Sequence, residues 1–372
     1  MAEITATELK DRLEAGEPLT VLDIREEDEF GDWHIRGSRN LPVYNAIGMN
    51  LFDGLEQGAE ELPKNRPVVT VCRGGVRSQA AAAVLREKGL DAFSLAGGLR
   101  AWGGVWTVAR IPLESCLDAV FVQIRRNGKG CLSYLLGDDG EAAVVDPSVE
   151  CRAYMEVAES NALKIARVIE THVHADHLSR ARELCRLTGA TLVLPPNGRV
   201  NFEYAPAEDE AVLAVGGLNI ETIATPGHTG ESVCYLVNEE ILLTGDTLFV
   251  DSVGRPDLEK GDAGAEAGAR SLYHSLNKRL LSRFDDLGVY PAHHAEPVGF
   301  DGVPIGGSLR ELRRSVDLLK LAEDDFVTRI VDGLSAKPPN FEAIIAVNEG
   351  KSALSGIDPL DLEAGPNRCA AG

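Results

Sequence analysis

The sequence predicts two domains in series: an α/β unit over residues 1–107 and, over residues 118–335, a larger unit in which β-rich layers alternate with helices. Three observations predict this. The chain has 372 residues, too many for one ordinary core and about right for two. Its first hundred residues alternate short apolar strands with helix-like stretches, and from Phe121 the pattern changes to hairpins. A composition 44% hydrophobic and 26% charged is that of a folded globular chain rather than a disordered one.

In order along the chain, residues 19–24 read as a strand, 68–72 as a second strand, 78–88 as an alanine-rich helix and 92–95 as a third strand. Gly97, Gly98, Gly103 and Gly104 then loosen the chain, which sets the domain boundary within 105–117. A hairpin is expected about residues 137–140, with the strand 142–145 running into Asp146-Pro147. Helix 152–161, strand 166–170, helix 179–188 and strand 191–194 follow. Three short strands occupy 218–243, and 308–322 has helical periodicity. Residues 336–372 form an extension. Its small and polar end is expected to be poorly ordered, with Cys369 an exposed thiol.

Acidic residues outnumber basic ones 58 to 37, a balance of −21, so the summed field repels a phosphate backbone and an anionic membrane surface. Nucleic acid and membrane are therefore not expected as partners. With no long apolar run and no secretory pattern at the start, the cytoplasm is the expected location. The seven cysteines are scattered, odd in number and without a Cys-x-x-Cys pair, which argues against a disulfide framework or a thiolate zinc site. Most read as reduced structural residues, and Cys72 is the exception.

His172, His174, Asp176 and His177 fall within six positions, on a loop between an apolar strand and a helix. Imidazole and carboxylate donors this dense suit zinc, iron and similar divalent metals. His228 and Asp246 each follow a strand of their own. This series, completed by His293, resembles the metallo-β-lactamase superfamily over about residues 118–300. The resemblance implies an αββα sandwich with ligands gathered at one edge of two facing sheets. His294 and His274 match no ligand position and are read as structural.

Two metal arrangements follow from the resemblance. In one, two zinc ions are held by His172, His174 and His228 and by Asp176, His177 and His293, with Asp246 between them, as in glyoxalase II-like thioester hydrolases that activate a water. In the other, His172, His228 and Asp246 alone form a two-histidine, one-carboxylate face on a single Fe(II), as in persulfide dioxygenases. The segments Gly245-Asp246-Thr-Leu-Phe, Gly254-Arg255-Pro-Asp257 and Tyr290-Pro-Ala-His293 look more like the dioxygenases, as does the short hairpin between His228 and Asp246. Arg255 is a candidate anchor for a carboxylate of a glutathione-type substrate, with a structural salt bridge as the alternative.

Cys72 ends an apolar strand just before a helix. The loop Cys72-Arg73-Gly74-Gly75-Val76-Arg77, a helix N-terminus and two arginines would favour the thiolate. This loop is similar to the rhodanese active loop, and Asp23-Ile-Arg25, His34-Ile-Arg-Gly37 and Gly97-Gly-Leu-Arg-Ala-Trp102 extend the likeness over about residues 3–106. It implies that Cys72 carries a sulfane sulfur as a persulfide, that Arg73 and Arg77 steady anionic donors, and that Gly74, Gly75 and Val76 shape the cradle. Asp23 and Arg25 read as a buried structural pair and His34 as turn structure.

Both resemblances together imply oxidation of glutathione persulfide by O2 to sulfite, coupled to sulfur transfer through Cys72, with thiosulfate formed where sulfite meets the Cys72 persulfide. The alternatives are the zinc hydrolase and a persulfide-sensing or sulfur-carrier module. A homo-oligomer is compatible with the sequence.

Overall fold

The structure is a computed structural model that describes residues 2–284, 286–354 and 356–371. The N-terminal sheet is parallel and contains β1 (Glu3–Ile4), β2 (Thr20–Asp23), β3 (Arg39–Asn40), β4 (Val68–Val71) and β5 (Ala92–Leu95), in the order β1-β5-β4-β2-β3. The two inner strands β2 and β4 are buried along their whole length, as continuous apolar runs are when helices cover both faces of a parallel sheet. Leu22, Val68, Ala81, Ala82 and Leu85 pack on one face, and Leu9, Val69, Val71 and Trp102 on the other.

Two further sheets face one another. One contains β6 (Thr107–Arg110), β7 (Val120–Arg126), β8 (Cys131–Asp138), β9 (Glu141–Val145), β10 (Lys164–Ile169), β11 (Thr191–Leu194) and β12 (Ala205–Pro206), ordered β12 through β6. The other contains β13 (Val212–Val215), β14 (Leu218–Ala224), β15 (Val233–Val237), β16 (Ile241–Gly245), β17 (Gly288–Pro291) and β18 (Gly307–Ser308), in sequence order. Phe121, Leu132, Tyr134, Leu136, Ile169, Ile220, Tyr235 and Leu243 fill the space between them. Helices Cys151–Ser160 and Ala181–Thr188 cover the outer face of the first of these sheets, and Ala265–His274, Leu309–Ser315 and Glu323–Asp332 that of the second. This is an αββα sandwich preceded by an α/β domain.

Three local readings differ from the sequence expectation. Strand β6 lies inside the stretch taken as a linker, because residues 107–110 pair antiparallel with β7 and extend the sandwich sheet. The helix expected over 308–322 is broken at Val316, which is extended at φ −83 and ψ 106 and buried with Leu309 and Leu312, so apolar spacing continues through a backbone that is not one helix. The C-terminal end is packed: Ala371 N donates to Val253 O at 2.8 Å and Arg255 N to Cys369 O at 2.9 Å. Cys369 is only 1% exposed. Backbone pairing to residues 253–255 secures this end, and low apolar content conceals such pairing. Among the described residues, no helix is long and apolar enough to cross a membrane.

Candidate functional site

The loop after β10 carries the histidine series, and residues 170–178 are buried throughout. A buried loop must have its backbone polar groups satisfied from outside. Asp146 accepts from Thr171 N at 2.7 Å and Thr171 Oγ1 at 2.8 Å, Asn348 Nδ2 donates to the carbonyls of His174 and His177 at 2.9 and 2.8 Å, and Leu178 N donates to Glu363 Oε1 at 2.7 Å.

His172, His228 and Asp246 offer three donor atoms within 4.8 Å of one another. Thr171 Oγ1 already donates to Asp146, so at 2.9 Å it accepts from His172 Nδ1. His228 Nδ1 donates to Arg255 O at 2.7 Å. Both imidazoles therefore carry their proton on Nδ1 and turn a bare Nε2 toward Asp246 Oδ2, at 3.6 and 3.5 Å. His172 Nε2 and Asp246 Oδ2 are buried without a hydrogen-bond partner. Burial, joined by the neighbouring His174, pushes His172 well below its usual pKa, and burial lowers His228 as well, so both stay neutral. Burial alone would raise the Asp246 carboxyl, but His293 reverses this and holds it ionised. Unpartnered, correctly protonated donors around one point fit a divalent metal ion.

His174 is turned elsewhere. Its Nε2 lies 3.2 Å from Asp146 Oδ1 and 3.1 Å from Glu170 Oε2. Burial would lower this histidine, but the two carboxylates, Asp146 first, hold it well above its usual value. Asp176, His177 and His293 form a separate group with Cys131. His177 Nδ1 donates to Asp176 Oδ1 at 2.9 Å, His293 Nε2 lies 3.1 Å from Asp176 Oδ2, and His293 Nδ1 donates to Asp246 Oδ1 at 2.6 Å. Cys131 Sγ is 3.4 Å from Asp176 Oδ2. Burial and Asp176 raise this thiol, but His177 outweighs them and brings it to about 7. The neighbouring His294 lies outside these groups.

Arg255 is not placed to anchor a substrate. It is buried, and all five of its N–H donors are taken: Nε and Nη2 by the two oxygens of Asp257 at 2.8 and 3.0 Å, and the rest by the carbonyls of Ser335, Ala336 and Arg368. It clamps the C-terminal segment while its own carbonyl orients His228. Cys131, Glu363, Asn348 and Cys369 were missed as site residues. Each reaches the site from a distant part of the chain, and Cys131 is positioned by a bridge to His293 that no local pattern announces.

Cys72 follows β4 and is buried, with Ser78 N donating to its sulfur at 3.4 Å. Gly75 takes φ +89 to turn the loop into helix Val76–Glu87. A Cβ on Gly98 would stand 2.2 Å from Cys72 O, so the loop packs directly on a second glycine turn, where Leu99 N donates to Cys72 O at 2.9 Å. The thiol borders a cavity of about 520 Å³ lined by Arg73, Gly74, Val76 and Arg77, by Arg126 and Lys129 of the sandwich, and by residues 360–361 and 363–366. Arg77 stacks 3.8 Å over Tyr44. As expected, Arg25 pairs with buried Asp23 at 2.7 Å.

Residues 5–104 match the Rhodanese-like domain family, and residues 126–327 match the Metallo-beta-lactamase superfamily. The mitochondrial persulfide dioxygenase ETHE1 of Mus musculus is 28% identical over 227 residues, covering 59% of this chain and 84% of the relative. A hydroxyacylglutathione hydrolase of Francisella tularensis subsp. novicida is 32% identical over 170 residues, covering 43% and 61%. The crystal structure of ETHE1 from Myxococcus xanthus is 30% identical with a TM-score of 0.56, covering 63% of this chain and 100% of that one. These likenesses support an enzyme of sulfur metabolism, and the fold implies a metal. The second match spans more than half of the chain, so the protein belongs to the metallo-β-lactamase superfamily, with a rhodanese-like domain ahead of the sandwich.

Proposed function

We propose that the protein is a persulfide dioxygenase with a coupled sulfurtransferase domain. The observation that carries this reading is the division of the histidine series. His172, His228 and Asp246 stand as a two-histidine, one-carboxylate set, while His174, which a two-zinc arrangement needs beside His172 and His228, has its Nε2 3.2 Å from Asp146 and 3.1 Å from Glu170. The relatives named persulfide dioxygenase support it further.

His172, His228 and Asp246 would hold one Fe(II), which when bound supplies open positions for a substrate sulfur and O2. Thr171 and the Arg255 carbonyl fix both imidazole orientations, and His293 fixes the Asp246 carboxylate. Overall, a persulfide RSSH, O2 and water give the thiol RSH, sulfite and two protons. In the N-terminal domain the Cys72 thiolate attacks the outer sulfur of a persulfide donor RSS−, whose S–S bond breaks to release the thiolate RS− as Cys72 becomes a persulfide. Sulfite attacking its outer sulfur releases thiosulfate and returns the Cys72 thiolate. Arg73 and Arg77 would steady the anionic partners.

Anaerobic metal analysis and O2 uptake with glutathione persulfide test the reading: one iron per chain and stoichiometric O2 consumption are expected. Two zincs with hydrolysis of S-lactoylglutathione would establish the hydrolase instead, a reading favoured by the intact Asp176, His177 and His293 group. A metal-free chain that still takes up sulfane sulfur at Cys72 would leave a carrier or sensor.

A further inference from the structure

The turn between β7 and β8 reaches out of the sandwich onto the first domain. A Cβ on Gly128 would stand 2.1 Å from Trp102 O, and Arg126 Nε donates to Gly103 O at 2.7 Å. This close packing brings Arg126, Gly128 and Lys129 into the wall of the Cys72 cavity, and residues 360–361 and 363–366 of the C-terminal strap, residues 358–371, complete it.

Charge is unevenly settled in that wall. Of its six cationic side chains, Arg25 is neutralised by Asp23 at 2.7 Å, Arg126 by Glu363 at 2.6 Å, and Arg100 by Asp358 at 2.6 Å and by Asp361. Among the described residues, Arg73, Arg77 and Lys129 pair with no carboxylate. Three of the four acids in the wall are engaged, Asp361 and Glu363 in these pairs and Asp32 with Arg368 at 3.0 Å, which leaves Glu29. The cavity therefore keeps an excess of positive charge within a chain of net charge −21, and it favours anions.

Lys129 stands apart from the two loop arginines. It is 2% exposed, and its Nζ donates to Glu363 O and Gly365 O at 2.9 and 3.1 Å, with no third acceptor among the described residues. An ammonium group carries three N–H donors, so one donor and the charge itself remain unanswered. A buried cation without a counter-charge is costly, and a bound anion relieves that cost. Size adds a second constraint. The cavity of about 520 Å³ falls within the about 300–1,000 Å³ of sites that hold organic ligands, and thiosulfate would fill a small part of it.

We propose that the Cys72 cavity is a composite site built by both domains, in which Lys129 of the sandwich binds a carboxylate of an organic persulfide donor while Arg73 and Arg77 hold its reacting sulfur end. The donor class is a low-molecular-weight thiol persulfide that bears a carboxylate. The inference rests on the sulfurtransferase reading of Cys72 and adds a specificity-determining residue from the other domain. Lys129 positions the donor and takes no part in breaking the S–S bond.

Anaerobic persulfidation of Cys72 in the full chain tests this, with glutathione persulfide and the uncharged 2-hydroxyethyl persulfide as donors, so that the metal site consumes neither. Lys129→Gln keeps two N–H donors for the two carbonyls and removes the charge. Its KM for glutathione persulfide should rise about tenfold with kcat held, while its KM for 2-hydroxyethyl persulfide should change by less than about twofold. Lys129→Arg should retain the discrimination. An equal change with both donors would reduce Lys129 to a clamp on the strap and overturn the proposal, as would no change with either. Should Lys129→Gln not fold, the parent chain decides: glutathione persulfide with both carboxylates converted to amides should show a KM about tenfold higher, and an equal KM would overturn the proposal. Cys72 accepting sulfur from no donor would overturn the sulfurtransferase reading and this proposal with it, an outcome distinct from transfer without discrimination.

Discussion

The metal centre and the Cys72 loop are opposite solutions to holding a reactive group. His172, His228 and Asp246 are themselves buried, and a small cavity that reaches His172 and His174 holds only about 20 Å³. Cys72 opens on about 520 Å³. The first site is assembled from segments far apart in the chain and over-determined by hydrogen bonds. The second is almost a single hexapeptide resting on one neighbouring turn. A metal needs several donors at once with their protonation settled, which only a packed network provides. A sulfur carrier needs one nucleophile that partners can reach.

The largest effects should separate the two sites. Asp246→Asn weakens the carboxylate shared by both ligand groups, and O2 uptake with glutathione persulfide should fall by about a hundredfold or more, since outer-shell changes alone often cost about 10–100-fold. Sulfur transfer from thiosulfate should be unaffected. Cys72→Ala should do the reverse, abolishing sulfur transfer while O2 uptake with a supplied persulfide continues. Loss of both activities in either variant would break the separation.

Glu363 tests where the sites are joined. Buried on the strap, it accepts from Arg126 at 2.6 Å and from Leu178 N at 2.7 Å, so it ties the Cys72 cavity wall to the histidine loop. Glu363→Ala leaves Arg126 a buried charge without its carboxylate and should lower stability by about 3–5 kcal/mol in thermal or urea unfolding. Burial alone would raise the Glu363 carboxyl, but Arg126 reverses this and holds it below the usual value. The unfolded chain therefore takes up this proton first as pH falls. The stabilisation is fully present above the ordinary glutamate value of about 4.3 and drains away as pH drops through the lower folded value. Stability should fall less steeply below about pH 4 in the variant than in the parent chain.

A smaller change should appear at the open site. Arg77→Ala removes a guanidinium that stacks over Tyr44 and lines the cavity, so the KM for thiosulfate should rise about tenfold with little change in kcat. Lysine should restore part of this, because it keeps the charge but loses the planar stacking. An equal fall in kcat would instead make Arg77 part of the transfer step.

The same contrast governs what was legible in the sequence. The Cys72–Arg77 loop and the His172–His177 series are contiguous, and their chemistry is written in residue type and spacing alone. The strand and helix pattern was legible for the same reason, down to the three short strands before Asp246. Cys131 and Cys369 gave no signal, because an isolated cysteine says nothing until a bridge to His293 or a backbone bond to Arg255 places it. Arg255 misled for the converse reason. A fork suited to a ligand carboxylate is equally suited to Asp257 and three carbonyls, and only the folded chain shows those acceptors are present.

The smallest expected effect concerns the exposed end of the strap, where Arg100 pairs with Asp358 at 2.6 Å and also with Asp361, all three groups well exposed. Exposed ion pairs gain little, because water screens them and ordering long side chains costs entropy. Arg100→Ala should leave the unfolding midpoint essentially unchanged, in contrast to Glu363→Ala, although both residues hold the same segment. A clear loss of stability in Arg100→Ala would mean that the strap is secured from the Cys72 side. The expected result places its anchorage at the buried end, where Glu363 accepts from Arg126 and from Leu178 N, Asn367 donates to the carbonyls of Lys129 and His294, and Arg255 N donates to Cys369 O, so that the segment is held by the sandwich and only borders the cysteine cavity.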